Sequence, residues 1–313
     1  MNLKNTAIIL SITILLLACG QERKASENSL IDKGKVRALF DKNSNNVLFN
    51  HLYVVLDSIS YARFRSNTFL KESYAGMDRG LPDFETIDDT VSSIYLRGEK
   101  HYLEILGPNN RFNEPVGRCG IGFSLDGKHS HFLNNSPELK EKNTKFLQGS
   151  DTVSMTIKGK ELVWYRPFYT FGMKTNMYTW FSYYNPEFLE AIHGEKYQTY
   201  SQETFLKSAY APDKLLRNVV AITLGCNPAD HFRMGRELQL LGCPMMKDGK
   251  KNPVFKVGDV YIRLILDHRR EKSGILNIES TLQRPDNRIL QLGGLTIKNE
   301  EKKSLWTFDL PSL

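Results

Sequence analysis

The feature that most constrains the fold is a recurring order of elements: one strand, one helix and then short strands. The first copy begins with "VLFNHLYVVLDS", which alternates as a strand does and ends in two residues that cap helices well. The order returns at "NVVAITLGCNPADHFRMGRELQLLGCP", and a looser copy lies between the two. Because an internal repeat fixes an architecture better than a single element does, the sequence predicts an α+β fold of βαβββ modules.

The predicted boundaries follow these copies. We place the first module at 47–112, the second and looser one at 113–188 and the third at 215–298, with a connector at 189–214 and a C-terminal tail at 299–313. The chain has 313 residues, of which 41% are hydrophobic. That length supports one large domain or two ordinary ones.

The N-terminus, "MNLKNTAIILSITILLLACG", has the pattern of a secretory signal. Its apolar run is shorter than the roughly 20 residues that a membrane-spanning helix needs. The stretch "LLLACG" resembles a lipobox, after which a bacterial signal peptidase cuts and the cysteine is lipidated. We therefore predict a signal peptide at 1–18, lipidation of Cys19 and a flexible tether at 19–46. An ordinary cleaved signal with an accidental cysteine is the alternative.

This N-terminus also predicts where the protein resides. The body of the protein would be extracytoplasmic and lipid-anchored in the cell envelope. The outer membrane is preferred because no aspartate follows the lipidated cysteine. The net charge of +7 does not predict a nucleic-acid partner, since Lys and Arg are mixed with acids, as in "PELKEKNTKF". The predicted partners are the membrane and a small molecule, and the oligomeric state stays open.

A resemblance to a known family adds to this picture. A βαβββ unit with a histidine on its first strand and "HYLEILGP" on its fourth resembles the glyoxalase-like branch of the vicinal oxygen chelate superfamily. "GIGFSLDG" and "ELVWYRPF" resemble the second module of that branch. The resemblance implies curved mixed sheets with helices on the convex face, as in glyoxalase and bleomycin-resistance proteins. It also implies a concave face that holds a metal ion and a substrate.

Strand parity assigns side chains to this concave face, which we call the cup. Successive residues of a strand face opposite sides, so each predicted strand has one apolar face and one polar and aromatic face. Glu104 is the most demanding member, because an unpaired buried carboxylate is very costly. The residues placed in the cup are His51, Tyr53, Tyr95, Arg97, Tyr102 and Glu104.

The resemblance implies that His51 and Glu104 are two of the metal ligands. An imidazole and a carboxylate together suit one divalent ion such as iron, zinc, manganese or nickel. The second module departs from the pattern, because Gly120 and Ser182 stand where further ligands are expected. In the third module, Val220 or Ala221 replaces the histidine, so that module is expected to extend the sheet. The candidates for a third ligand are His129, His131 and Glu161.

Two other roles for this pair stay open. Glu104 can pair with Arg97 or accept hydrogen bonds from the tyrosines, or His51 and Glu104 can act as catalytic acid/base groups without a metal. Arg166 is a candidate anion clamp and Trp180 a candidate aromatic wall. With these two, the predicted ligand-binding residues are Tyr53, Tyr95, Arg97, Tyr102, Arg166 and Trp180.

Three functions follow from these expectations. The first is a lipoprotein that binds a small molecule in the cup between modules one and two. The second is a metal-dependent lyase, isomerase or dioxygenase that uses His51 and Glu104 as catalytic residues. The third is an envelope interaction protein that has kept the fold without the chemistry. Signatures of serine hydrolases, zinc proteases and nucleotide-binding enzymes are absent from the sequence.

Overall fold

The computed structural model covers most of the predicted modules. The predicted signal peptide, Cys19 and the tether lie outside the described residues, as do His129 and His131. No helix in the described part of the chain is both long and apolar enough to cross a membrane. The described residues are 47–81, 84–125, 146–147, 149–170, 173–247 and 252–309.

A first mixed sheet is formed by nine strands from the first half of the chain. They are β1 (Val47–Val55), β2 (Gly76–Asp78), β3 (Ser93–Arg97), β4 (Tyr102–Leu106), β5 (Cys119–Leu125), β6 (Gly149–Ser150), β7 (Val153–Ile157), β8 (Lys160–Tyr169) and β9 (Met177–Tyr184). Their order is β2-β3-β4-β1-β5-β9-β8-β6, and β7 pairs with β8. β1 runs parallel to β4, β5 runs parallel to β9, and β1 and β5 are antiparallel.

A second mixed sheet is formed by eight strands from the second half. They are β10 (Leu216–Cys226), β11 (Met245–Lys247), β12 (Val254–Val257), β13 (Val260–Leu266), β14 (Gly274–Leu282), β15 (Ile289–Gln291), β16 (Leu295–Glu300) and β17 (Lys303–Phe308). Their order is β11-β12-β13-β10-β14-β17-β16-β15, and β10 runs parallel to β13. The protein is therefore an α+β protein with two mixed sheets.

The described helices are few and begin at recognisable caps. Asp57 accepts hydrogen bonds from the first backbone N–H groups of the first helix, and Asn227 caps the last helix, which has proline at its first position. A π-helical turn spans Leu70–Tyr74. The α-helices are α1 (Ser58–Ser66), α2 (Pro186–His193), α3 (Gln202–Leu206) and α4 (Pro228–Leu240).

The same strand order opens both sheets. β2-β3-β4-β1, with α1 following β1, corresponds to β11-β12-β13-β10, with α4 following β10. The third predicted module is wrong in one respect: β14 was expected to be its last strand but begins a further set of four strands. The predicted tail at 299–313 is also wrong, because β17 lies between β14 and β16. Alternate burial of Ser304, Trp306 and Phe308 explains this placement.

A shared apolar core lies between the sheets. Trp306 of the second sheet is fully buried and donates to the Tyr74 hydroxyl at 2.8 Å, and Phe64 of α1 packs beside it. The core therefore uses one face of each sheet and leaves the opposite face available. Core residues of the two sheets include Leu52, Leu103, Ile121, Phe181, Ile222, Leu264, Ile278 and Ile297.

Candidate functional site

The predicted cup residues of β1 and β4 lie on one face of the first sheet. The two parallel strands pair His51 with Tyr102 and Tyr53 with Glu104. The His51 ring stacks on the Tyr102 ring, with centroids 4.3 Å apart and planes 9° apart. Trp180 of β9 meets the edge of His51 at 5.2 Å and lies 6.1 Å from the ring of Tyr53. The structure thus brings Trp180, from the predicted second module, against residues of the first.

Tyr95 and Arg97 of β3 complete the same face. The Tyr95 hydroxyl donates to Glu104 Oε1 at 2.6 Å, which is the hydrogen bond from a tyrosine that the sequence left open. Arg97 lies over the rings of Tyr95 and Tyr102 at 4.7 and 4.8 Å. Its partner is not Glu104 but Asp78 of β2, through a bidentate ion pair at 2.6 and 2.7 Å. Sequence reasoning missed Asp78 because a strand of three residues has no readable period.

Burial sets the protonation of the two proposed metal ligands. It lowers the pKa of His51 to about 3, with a further contribution from the charge of Arg97, so the imidazole is neutral at physiological pH. Burial raises the pKa of Glu104, against the hydrogen bond from Tyr95 and the charges of Arg111 and Arg97. Burial therefore favours the neutral form of both side chains.

The connector covers this face. Residues 189–214 were predicted to be a connector, and they include α3, whose Phe205 packs against Tyr102 and against Trp164. Tyr200 stacks on Tyr184 with centroids 4.6 Å apart. As a result His51 and Glu104 are only 6% and 8% exposed. The part of the cup in front of module one is filled by protein.

The described residues do not fit the metal centre implied by the resemblance. His51 Nδ1 is 2.8 Å from Asn50 Oδ1, and no group of three His, Cys, Asp or Glu side chains in the described ranges could hold an ion. Positions 120 and 122 need glycine, because a Cβ at either position would lie within 2.8 Å of the Trp180 ring. Aromatic rings occupy the space where further ligands were expected.

The other predicted site residues are dispersed. Arg166 is half-buried on β8, at the position after Tyr165, and does not line the cavity described next. Glu161 is exposed on β8, and Ser182 is fully buried. His101, which precedes β4, is 4% exposed because its ring packs on Phe49, with centroids 5.0 Å apart.

An open cavity of about 520 Å³ lies beside the filled part of the cup. Tyr53 and Trp180, two of the predicted ligand-binding residues, line it, whereas Tyr95, Arg97 and Tyr102 do not. We call it the aromatic cavity. Further lining residues, which sequence reasoning did not select, are Glu114, Tyr165, Pro167, Tyr169, Thr170, Met173, Thr175, Tyr178, Thr179 and Arg233.

The walls of the aromatic cavity are rich in aromatic rings and carry one ion pair. Arg118 bonds the Glu114 carboxylate at 2.9 Å and lies 5.2 Å over the ring of Tyr178. Burial, and then the charge of Glu104, raises the pKa of Tyr165 to about 12. The cavity combines stacking surfaces with a fixed ion pair.

A buried charge network from the other half of the chain closes the cavity. Arg233 of α4 bonds Asp230 at 2.9 Å and Glu237 at 3.1 Å, and contacts the Thr179 hydroxyl of β9. Thr179 in turn donates to Glu237 at 2.6 Å. Sequence reasoning missed this network because Thr179 lies more than 50 positions before Arg233 and Glu237 and meets them only when α4 packs on the first sheet.

These features define a two-sheet α+β protein with a ligand-sized aromatic cavity on one sheet. The chain belongs to DUF5829, a family of unknown function, whose profile matches residues 49–308. It is similar to a solved structure titled "Crystal Structure of a hypothetical protein from Staphylococcus aureus", with 10% identity and a TM-score of 0.44. That match covers 73% of this chain and 88% of the other. No curated protein sequence matches this chain.

Proposed function

We propose that this protein binds a small molecule in the aromatic cavity. The observation that carries the proposal is a cavity of about 520 Å³ lined by Tyr53, Tyr165, Tyr169, Tyr178 and Trp180. Ligand sites are typically concave, mostly apolar and a few hundred Å³ in volume, with a few polar groups that fix orientation. The aromatic cavity has this size and composition.

The lining predicts the kind of ligand. Rings of tyrosine and tryptophan offer flat apolar faces with polar edges, so they suit a planar molecule that stacks. The hydroxyls of Thr170 and Thr175 already donate to Glu237 and Asp230, so they can only accept hydrogen bonds from a ligand. The Glu114–Arg118 pair adds charged groups at the wall. We therefore expect a flat aromatic or heterocyclic ligand with polar substituents.

In this proposal His51 and Glu104 position the wall of the cavity. His51 packs against Trp180, and Glu104 lies beside Tyr53 in the strand register. Neither residue lines the cavity itself. The recurring strand order supports a glyoxalase-like arrangement in which the aromatic rings have replaced the metal. The predicted lipidation of Cys19 would tether this binding body to the outside of a membrane.

A compound screen tests the binding function. Purified mature protein is screened by thermal shift against planar aromatic and heterocyclic compounds, and hits are measured by calorimetry. Tyr178→Ala should weaken binding about tenfold, because one stacking ring is worth about 1 kcal/mol or more. Tyr261→Ala is the matched control: Tyr178 is 37% and Tyr261 40% exposed, and Tyr261 lies on the second sheet. Equal affinities of the two variants would contradict the proposal.

The same protein separates the alternatives. Stoichiometric metal that His51→Ala removes would favour the metal-dependent lyase, isomerase or dioxygenase. A protein without metal and without any hit would favour the envelope interaction protein. Cell fractionation of Cys19→Ala tests the tether: the wild type should stay with the membranes and the variant should be released from them.

A further inference from the structure

A second cavity lies at the start of β1, beside Leu48 and Phe49. It has a volume of about 370 Å³ and is lined by β1, the turn before β4, the end of β5, the segment at α3 and the turn between β12 and β13. None of its lining residues lines the aromatic cavity. Its size is within the range of small-ligand sites.

Two of its lining residues carry buried polar atoms without partners. His101 Nδ1 and Gln202 Nε2 have no hydrogen-bond partner among the residues that the structure describes. His101 is 4% and Gln202 9% exposed. An unsatisfied buried polar group costs roughly 1–3 kcal/mol, so two at one cavity indicate a partner outside the described residues.

The existing partners of His101 and Gln202 show which hydrogen-bonding groups remain unused. His101 Nε2 lies 3.5 Å from Asp259 Oδ1, and the hydrogen bond from His101 lowers the pKa of Asp259 to about 2. With Nε2 directed at Asp259, the second ring nitrogen, Nδ1, is left for another partner. Gln202 Oε1 already accepts from Asn50 at 2.8 Å, which leaves the donor group of the amide unused. The cavity therefore offers one unpaired ring nitrogen and one unpaired amide donor.

A hydroxyl group can satisfy both, since it donates and accepts. The Ser124 hydroxyl adds a third such group, and Phe49 and Tyr200 supply apolar ring surface. At the margin, Lys100 is already paired with Glu203 at 3.2 Å and with Asp259 at 3.6 Å. We propose that this cavity is a second binding site, which takes a neutral polyhydroxylated molecule of monosaccharide or cyclitol size.

Calorimetry on the mature protein tests the proposal. The probes are glucose, galactose, N-acetylglucosamine and myo-inositol, with glucose 6-phosphate and lysine as charged comparisons. His101→Phe removes Nδ1 and keeps an aromatic ring at this position. Gln202→Glu keeps the oxygen that accepts from Asn50 and removes the donor. Gln239→Glu makes the same change at an exposed position of α4.

At least one neutral probe should bind the wild type and Gln239→Glu equally, and bind His101→Phe and Gln202→Glu about tenfold more weakly. Thermal unfolding identifies a cavity variant that fails to fold. The affinity of the other cavity variant then tests the proposal. The proposal is overturned if no neutral probe binds, if only the charged probes bind, or if all variants bind equally. It is also overturned if Tyr178→Ala, but neither cavity variant, loses the neutral probe, because the probe would then occupy the aromatic cavity.

Discussion

The first strand pairs of the two sheets have the same backbone arrangement and opposite surroundings. His51 and Tyr102 are paired on β1 and β4, and Ala221 and Tyr261 are paired on β10 and β13. Tyr102 is 3% exposed, whereas Tyr261 is 40% exposed. The tyrosine is common to both pairs, but only the tyrosine of the first sheet is buried.

The next pair along the strands differs in the same way. Tyr53 and Glu104 of the first sheet correspond to Thr223 and Arg263 of the second. Glu104 is buried, whereas Arg263 is exposed and donates to the Thr223 hydroxyl at 3.2 Å. A carboxylate in the first sheet thus corresponds to a solvated cation in the second.

The connector accounts for the difference. Phe205 and Tyr200 of the connector pack on the outer face of the first sheet, and no described segment packs on the corresponding face at Tyr261. A βαβββ unit therefore does not become a binding site through its strand order. The first unit differs in that a further segment removes its outer face from water and leaves a cavity beside the contact.

The largest expected effect that tests this comparison is the loss of the buried ion pair. Arg97→Met leaves Asp78 buried without its partner, and breaking a buried pair in this way costs about 3–5 kcal/mol. Lys256→Met on β12, the strand that corresponds to β3, should stay within about 0.5 kcal/mol because Lys256 is exposed. Urea unfolding measures both. Similar losses in the two variants would mean that the two outer faces are equally buried.

A smaller effect concerns pH. The pKa of His51 is lowered from 6.5 to about 3. As the pH falls, the unfolded chain therefore binds a proton near pH 6.5, whereas the folded chain binds it only near pH 3. Stability from this group is therefore complete above pH 6.5 and is lost as the pH falls toward 3. Between pH 7 and pH 5 the loss is about 2 kcal/mol.

His51→Phe keeps an aromatic ring at this position and removes the titration. Its free energy of unfolding should fall less than that of the wild type between pH 7 and pH 5. His268→Phe, at an exposed position near the second sheet, is the control and should follow the wild type. A wild-type pH profile in His51→Phe would show that His51 is accessible to protons in the folded protein.

Local periodicity explains what could be predicted from the sequence. Period-2 alternation placed His51, Tyr53, Tyr102 and Glu104 on one face, because parity depends only on neighbouring residues of a strand. The caps at the helix starts were predictable for the same reason. β11 was not recognised, because its three exposed residues have no pattern, and the error shifted β14 into the wrong set of strands.

The cavities depend on contacts that no local pattern encodes. Arg233 reaches the aromatic cavity only because α4 of the second half packs against β9, and Gln202 reaches the second cavity only because α3 folds back toward β1. Glu104 shows the boundary between the two kinds of information. The cost of burying its carboxyl group predicted that Glu104 needs a partner. That this partner is Tyr95 and not Arg97 depends on Asp78, which binds Arg97.

The smallest expected effect concerns Glu104. Burial raises its pKa, so the unfolded chain loses this proton at a lower pH than the folded chain does. Stability from this group is present below the unfolded pKa and is lost as the pH rises toward the folded pKa. The hydrogen bond from Tyr95 and the charges of Arg111 and Arg97 oppose burial, so the change between pH 4.5 and pH 5.5 should be at most about 1 kcal/mol.

Glu104→Gln keeps an oxygen for the Tyr95 hydroxyl and removes the titration. The difference in unfolding free energy between the variant and the wild type should therefore grow in favour of the variant as the pH rises through this window. Glu279→Gln makes the same change on the outer face of the second sheet, where Glu279 pairs with Ala221 and is half-buried. If Glu279→Gln showed the same trend as Glu104→Gln, burial under the connector would not be what distinguishes the two sheets.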